Sequence, residues 1–169
     1  MTEQVPEVVG MPDRLPMTTA LVDLLARVTG KPWEIGRVPT TTRPDPDRPS
    51  REIVVAVDPV FGILYPQWRE TSGPVRKPNI TWHYQATVVA KRADQLEWFD
   101  DRIQAAIVGR TATMAWAYPL AVPGLHVIDR SMGDENTGGG ADPATDTRTE
   151  LPTRDIRFSV TVHADPDTD

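Results

Sequence analysis

The sequence predicts an α+β fold: an antiparallel or mixed β-sheet with two α-helices packed on one face, long loops and an extended N-terminal arm. Three observations predict it. Apolar and polar residues alternate over residues 80–90 and again over 154–163, the period of a half-buried strand. Two other segments space their apolar residues three and four apart, the period of an amphipathic helix. The strands adjoin turn-rich loops and the helices are only two, which favours a sheet with both helices on one side.

Residues 1–17 read as an extended arm, in which Val5, Val8 and Val9 are too few to build an element. The first helix is expected from about Thr19 to Thr29. Thr18 or Thr19 caps it, Leu21, Leu24, Leu25 and Val28 form its stripe, and Gly30 followed by Pro32 stops it. Residues 39–50 are a loop by composition. Residues 52–57 are expected to form a strand, and Ile53, Val54, Val55, Ala56 and Val57 make a continuous apolar run, which predicts that the strand is central and covered on both faces. Asp58-Pro59 breaks that strand, Phe61 to Tyr65 extends or re-pairs it, and residues 66–78 read as a second loop carrying Trp68, Arg69, Arg76 and Lys77.

The organising stretch is 79–109. Ile80, Trp82, Tyr84, Ala86, Val88 and Ala90 share one strand face, and Thr81, His83, Gln85 and Thr87 share the other. Asp94 stands at a helix N-cap position with Glu97 three residues on, a capping box. Leu96, Phe99, Ile103, Ala106 and Ile107 form the helix stripe, and Gly109 is expected to end it in a left-handed conformation. Residues 110–122 place Met114, Trp116, Tyr118 and Leu120 on alternate positions, an extended excursion. A strand over 124–131 turns Leu125, Val127 and Asp129 to one side. Residues 132–152 are polar, acidic and glycine-rich, a flexible loop. The last strand, 154–163, faces Ile156, Phe158, Val160 and Val162 inward. The plan is one domain over 18–163, followed by an acidic tail at 164–169.

Composition narrows the function. At 169 residues the chain can bury roughly two-thirds of its unfolded surface, so a true core is possible. It has no cysteine, which removes disulfides, thiolate metal sites and thiol nucleophiles. A net charge of −6 gives no general attraction for nucleic-acid phosphates. No run of about 18 apolar residues exists to span a membrane, and the N-terminus has no basic segment followed by an apolar one, so no secretory signal is expected. The 17 prolines gather outside the periodic segments and stiffen the arms and loops.

Catalytic patterns are missing. His83, His126 and His163 are far apart in sequence; His83 and His163 lie on polar strand faces where they could meet, but no further metal ligand stands near. Gly138-Gly139-Gly140 lacks the Lys-Ser/Thr pair of a phosphate loop. Asp134, Glu135 and Asp142 lack calcium-loop spacing. Ser131 sits in no nucleophile elbow. The expectation is a protein with no catalytic, cofactor or metal site. Five tryptophans are a stronger signal. Trp82 and Trp98 have core explanations, whereas Trp33, Trp68 and Trp116 fall in loop-like segments, and tryptophan beside arginine often anchors an interface. The candidate interface residues are Trp33, Trp68, Arg69, Trp116 and Tyr118, with Asp134, Glu135 and Asn136 in the acidic loop. The uncharged outer face of Thr81, Gln85, Thr87, Ser159 and Thr161 suggests partial covering by a neighbouring copy, or plain β-propensity of threonine.

A capped helix, an apolar strand, a strand running into KRADQLEWFDDRIQAAIVG, then GLHVIDRSM and a closing RDIRFSVTVHA together resemble the tail terminator proteins of long-tailed bacteriophages. The resemblance covers roughly Thr19 to His163 by element order. It implies a small α+β subunit of a hexameric ring, without catalytic residues or cofactor. Such a ring caps the tail tube, stops its growth and presents the head-joining surface. The implied partners are further copies of the chain, the tail tube protein and the neck or head–tail connector, with DNA passing through the lumen without specific binding. The implied location is the head-proximal end of the virion tail, after assembly in the host cytoplasm. Two alternatives stand beside it: a neck or head-closure protein of the same phage, and a small-molecule-binding α+β module or an unrecognised hydrolase.

Overall fold

A computed structural model of the chain describes residues 11–74, 78–133 and 151–164. In chain order the elements are α1 (Leu15–Thr29), β1 (Trp33–Ile35), β2 (Thr40–Pro44), β3 (Glu52–Ala56), β4 (Phe61–Ser72), β5 (Asn79–Val89), α2 (Ala93–Val108), β6 (Leu125–Met132) and β7 (Thr153–Ala164). Five strands form one sheet in the order β1-β4-β5-β7-β6, and β2 pairs only with β3. β1 is parallel to β4; the other pairings are antiparallel, so the sheet is mixed. The α+β class is as expected.

β5 is the middle strand, and its alternation does what the sequence asks. Ile80, Trp82, Tyr84, Ala86 and Val88 are buried, and Ile156, Phe158, Val160 and Val162 of β7 lie alongside them. Met17, Leu21, Leu24 and Leu25 of α1 and Leu96, Phe99, Ile103, Ala106 and Ile107 of α2 close over that face in one cluster. Each large side chain so covered contributes roughly 1.5–3 kcal/mol before entropy is counted.

The helix ends differ from expectation. α1 starts earlier, at Leu15, with Pro16 in its first turn and Asp13 Oδ1 accepting the Leu15 N–H at 3.0 Å. Thr18 is therefore inside the helix and buried, bonded to Tyr84 Oη at 3.1 Å. Gly30 does end α1 in the left-handed region, at φ 62°. At α2 the capping box does not form: Asp94 is drawn to Arg92, and Glu97 to Arg154 of β7 at 2.7 Å. Gly109 is not left-handed, with φ −60° and ψ 137°. Glycine is needed there for a different reason, because a Cβ would lie 2.2 Å from the Ala105 carbonyl oxygen.

The larger corrections concern strands. Residues 40–44, expected within a loop, form β2, where three threonines supply β-propensity. Residues 52–56 are not a central strand. They form β3 of an exposed hairpin whose residues are all exposed or half-buried. Residues 66–72, also expected as loop, continue β4 past Pro66 through a bulge between Pro66 and Arg69; the bulge is what lets a proline stand inside a strand. Residues 110–122 are a turn-rich excursion held by bridges from Arg110 to Trp116 and from Val122 to Leu125. Trp98 is 39% exposed and does not belong to the core. Among the described residues no helix is long and apolar enough to cross a membrane. The loop predicted at 132–152 lies mostly outside the described residues, as does most of the N-terminal arm.

Candidate functional site

β6 builds the first half of the site. A strict alternation would turn Leu125, Val127 and Asp129 inward. A bulge between Val127 and Asp129 shifts the register, so Arg130 pairs with Val160 and takes the inward place. Arg130 is only 5% exposed. Its Nη1 donates to the Tyr118 carbonyl at 2.8 Å and, at the limit of a hydrogen bond, to the Ile107 carbonyl at 3.5 Å. Ile107 lies in the last turn of α2, which carries no basic residue of its own, so the guanidinium sits at the partly negative helix end.

Those contacts leave Arg130 short of partners. Its Nε and Nη2 are buried and, among the described residues, make no hydrogen bond. Among the described residues it has no ion pair. A second cation, Arg110, acts on it, and both guanidinium groups pack on Trp116, with ring-centroid distances of 3.2 Å for Arg110 and 4.5 Å for Arg130. Burial, with Arg110 adding to it, holds the Arg130 pKa down to about 10, below the usual range of an arginine. A buried charge without a counter-charge is costly to a fold and demands an explanation. Beside Arg130 opens a groove of about 530 Å³, walled by Trp116, Leu120, Val122, Leu125 and Val127. The chemistry on offer is an apolar trough with a cation in its lining.

The β2–β3 hairpin is the second feature. It projects from the end of the sheet that holds β1 and β4, closed at its base by the Val57 N–H donating to the Pro39 carbonyl at 3.0 Å. Neither of its strands touches any other element. Glu52, Val54 and Ala56 share a face with Thr40, Thr42 and Pro44. On that face Val54 is 68% exposed, and Val57 beyond the strand is 53% exposed. A lone two-stranded hairpin is marginal in water, so one with exposed valines lacks a packing partner among the described elements.

The predicted residues divide between places. Trp33 is not an interface anchor. It lies in β1, buried over Gly62, with Nε1 donating to Thr29 Oγ1 at 2.9 Å and an edge-to-face contact with Phe99 at 6.5 Å. Trp116 and Tyr118 both gather around Arg130, as predicted residues with an unpredicted centre. Trp68 and Arg69 are exposed but sit on β4, away from β6 in the strand order. Trp68 stacks on His83 at 3.6 Å and 13°, and His83 Nε2 is 3.4 Å from Glu70. Arg14 locks this corner by donating to the carbonyls of Gln67 and His83 while lying over the Tyr84 ring. Asp134, Glu135 and Asn136 lie outside the described residues.

The uncharged sheet face also changes meaning. Thr81 and Thr161 bond each other at 2.9 Å, Ser131 and Ser159 at 2.8 Å, and Thr87 donates to Asp155 at 2.7 Å. These groups satisfy one another across the strands, so the face does not require a cover. His83 and His163 do not meet; His83 pairs with Ser159, and His163 stands opposite His126 and Asn79. Among the described residues no group of three or more His, Cys, Asp or Glu side chains is placed to hold a metal. Sequence reasoning missed Arg130 because a bulge leaves no mark on the residue pattern. It missed the hairpin because the polar, proline-rich stretch 39–50 hid the first of its strands, and the second was read as a central one. Compared with known families and with characterised proteins, the sequence matches none of them.

Proposed function

We propose that this chain is a structural subunit that assembles into a ring, a bacteriophage tail terminator that caps the tail tube, ends its growth and offers the surface to which the head joins. The β2–β3 hairpin is the observation that carries it: an arm with exposed valines whose strands, among the described elements, pack only on each other. Such an arm finds cover on another molecule. If that molecule is a further copy, the contact is head-to-tail, and a head-to-tail contact that closes gives a ring. The element order that resembles tail terminators supplies the assignment to the tail. The net charge of −6 suits a lumen through which DNA slides without adhering.

Electron microscopy of the purified protein with and without tail tubes tests this. Rings alone, and rings seated on tube ends that no longer elongate, are the expected result. A protein that stays monomeric and leaves tube growth unchanged overturns the proposal. Co-sedimentation with connector complexes, but not with tubes, would move the subunit to the neck.

A further inference from the structure

We infer that the β2–β3 hairpin of one copy seats in the groove over Arg130 of the next, with the Glu52 carboxylate meeting the buried guanidinium. The contact rests on the self-assembly proposed above and names its two halves. Each half lacks what the other carries. The groove has mostly apolar walls and is lined by Arg130, two of whose buried guanidinium nitrogens are unbonded among the described residues. It calls for a carboxylate borne on an apolar segment. Glu52 and Val54 stand on one face of β3, two residues apart and both exposed. Among the described residues Glu52 has no ion pair. The hairpin's own cations stand elsewhere: Arg43 is on the opposite face, and Arg48 and Arg51 are in the turn.

Topology decides which copy is joined. The hairpin leaves the chain between β1 and β4, at one end of the sheet order, and Arg130 is on β6 at the other. A hairpin at one end and a receiving groove at the other give a contact between unlike surfaces, the kind that propagates from copy to copy and can close. Charge-assisted bonds from a carboxylate would satisfy the two orphan nitrogens, and they are among the stronger hydrogen bonds available. The buried cation, unpaired among the described residues, becomes a selector for the right neighbour.

The experiment uses the full chain with a photo-crosslinking phenylalanine in place of Val54. The expected product, read by mass spectrometry, joins the hairpin of one copy to residues 116–127 of another. Assembled protein whose cross-links fall elsewhere overturns this contact while leaving self-assembly intact. A strictly monomeric protein without intermolecular cross-links overturns both. Two variants add an independent readout. Glu52→Lys, on an exposed residue, should weaken assembly at least tenfold, and unchanged assembly contradicts the contact. Glu52→Gln should weaken assembly of the natural chain but have no effect in an Arg130→Met background; equal losses in both backgrounds would show that the two residues do not meet. If Arg130→Met does not fold, the cross-link and Glu52→Lys decide alone.

Discussion

β3 and β5 are both rich in β-branched residues, and they end in opposite surroundings. β5 has strands on both sides and two helices over one face, and its inward residues are buried. β3 has one strand beside it and no other element in contact, and Val54 lies 68% exposed. The continuous apolar run of 53–57 looks more buried than the mixed run of 80–90, yet it is the exposed one. A residue pattern reports how much cover a strand requires, not whether the same chain supplies it. Where the cover is missing, the requirement points outward, to another molecule. The same contrast holds for cations. Arg154 meets Glu97 and Asp100, while Arg130 meets a second arginine and a tryptophan.

If the helix-covered half is a self-sufficient core, damage there should cost most. Phe99→Ala, at a fully buried position between α2 and Trp33, should lower unfolding free energy by about 3–5 kcal/mol in a denaturant titration. Gly62→Val should be next. A Cβ at Gly62 would lie 2.3 Å from the Trp33 indole, so the ring must move, at a cost of about 1–3 kcal/mol. A loss below a few tenths in either variant would break the distinction between the two regions.

The ion pairs of Arg154 should have a smaller effect, visible mainly in pH dependence. The Arg154 guanidinium beside Glu97 holds that carboxyl below its ordinary value of 4.5. A depressed carboxyl stabilises the fold fully above its unfolded value and loses that contribution as pH falls through the folded one. Thermal unfolding between neutral pH and about pH 3 should therefore fall less steeply in Arg154→Met than in the natural chain, by a small margin because Glu97 is exposed. Equal slopes would remove Arg154 from the acid response. The smallest effect on the single subunit is expected from Val54→Ser. Stability should change by no more than about 0.5 kcal/mol, because the side chain is mostly exposed. Assembly should weaken, and that divergence sharpens the comparison.

Much of the covered half was legible in the sequence. Alternation in 80–90 and 154–163, and the stripes of both helices, located most of the core residues, because burial against one face imposes a period. Cap chemistry was less legible. Asp94 and Glu97 fit a capping box locally, but Arg92 and Arg154 are stronger partners than backbone N–H groups. The candidate site was legible only in part. Trp116 and Tyr118 were visible as aromatics outside the core; Trp33 was misassigned because a three-residue strand against Gly62 leaves no periodic trace. The bulge that turns Arg130 inward is a property of strand pairing, which no single segment encodes.

The central claim is that the hairpin's missing partner is another copy of this chain. Sedimentation velocity on the natural protein and on a chain with residues 40–56 replaced by a short glycine–serine link tests it most directly, since the hairpin's base is already closed by the Pro39–Val57 bond. A closed oligomer for the first and a folded monomer for the second is the predicted outcome. The same mass distribution for both proteins would contradict it.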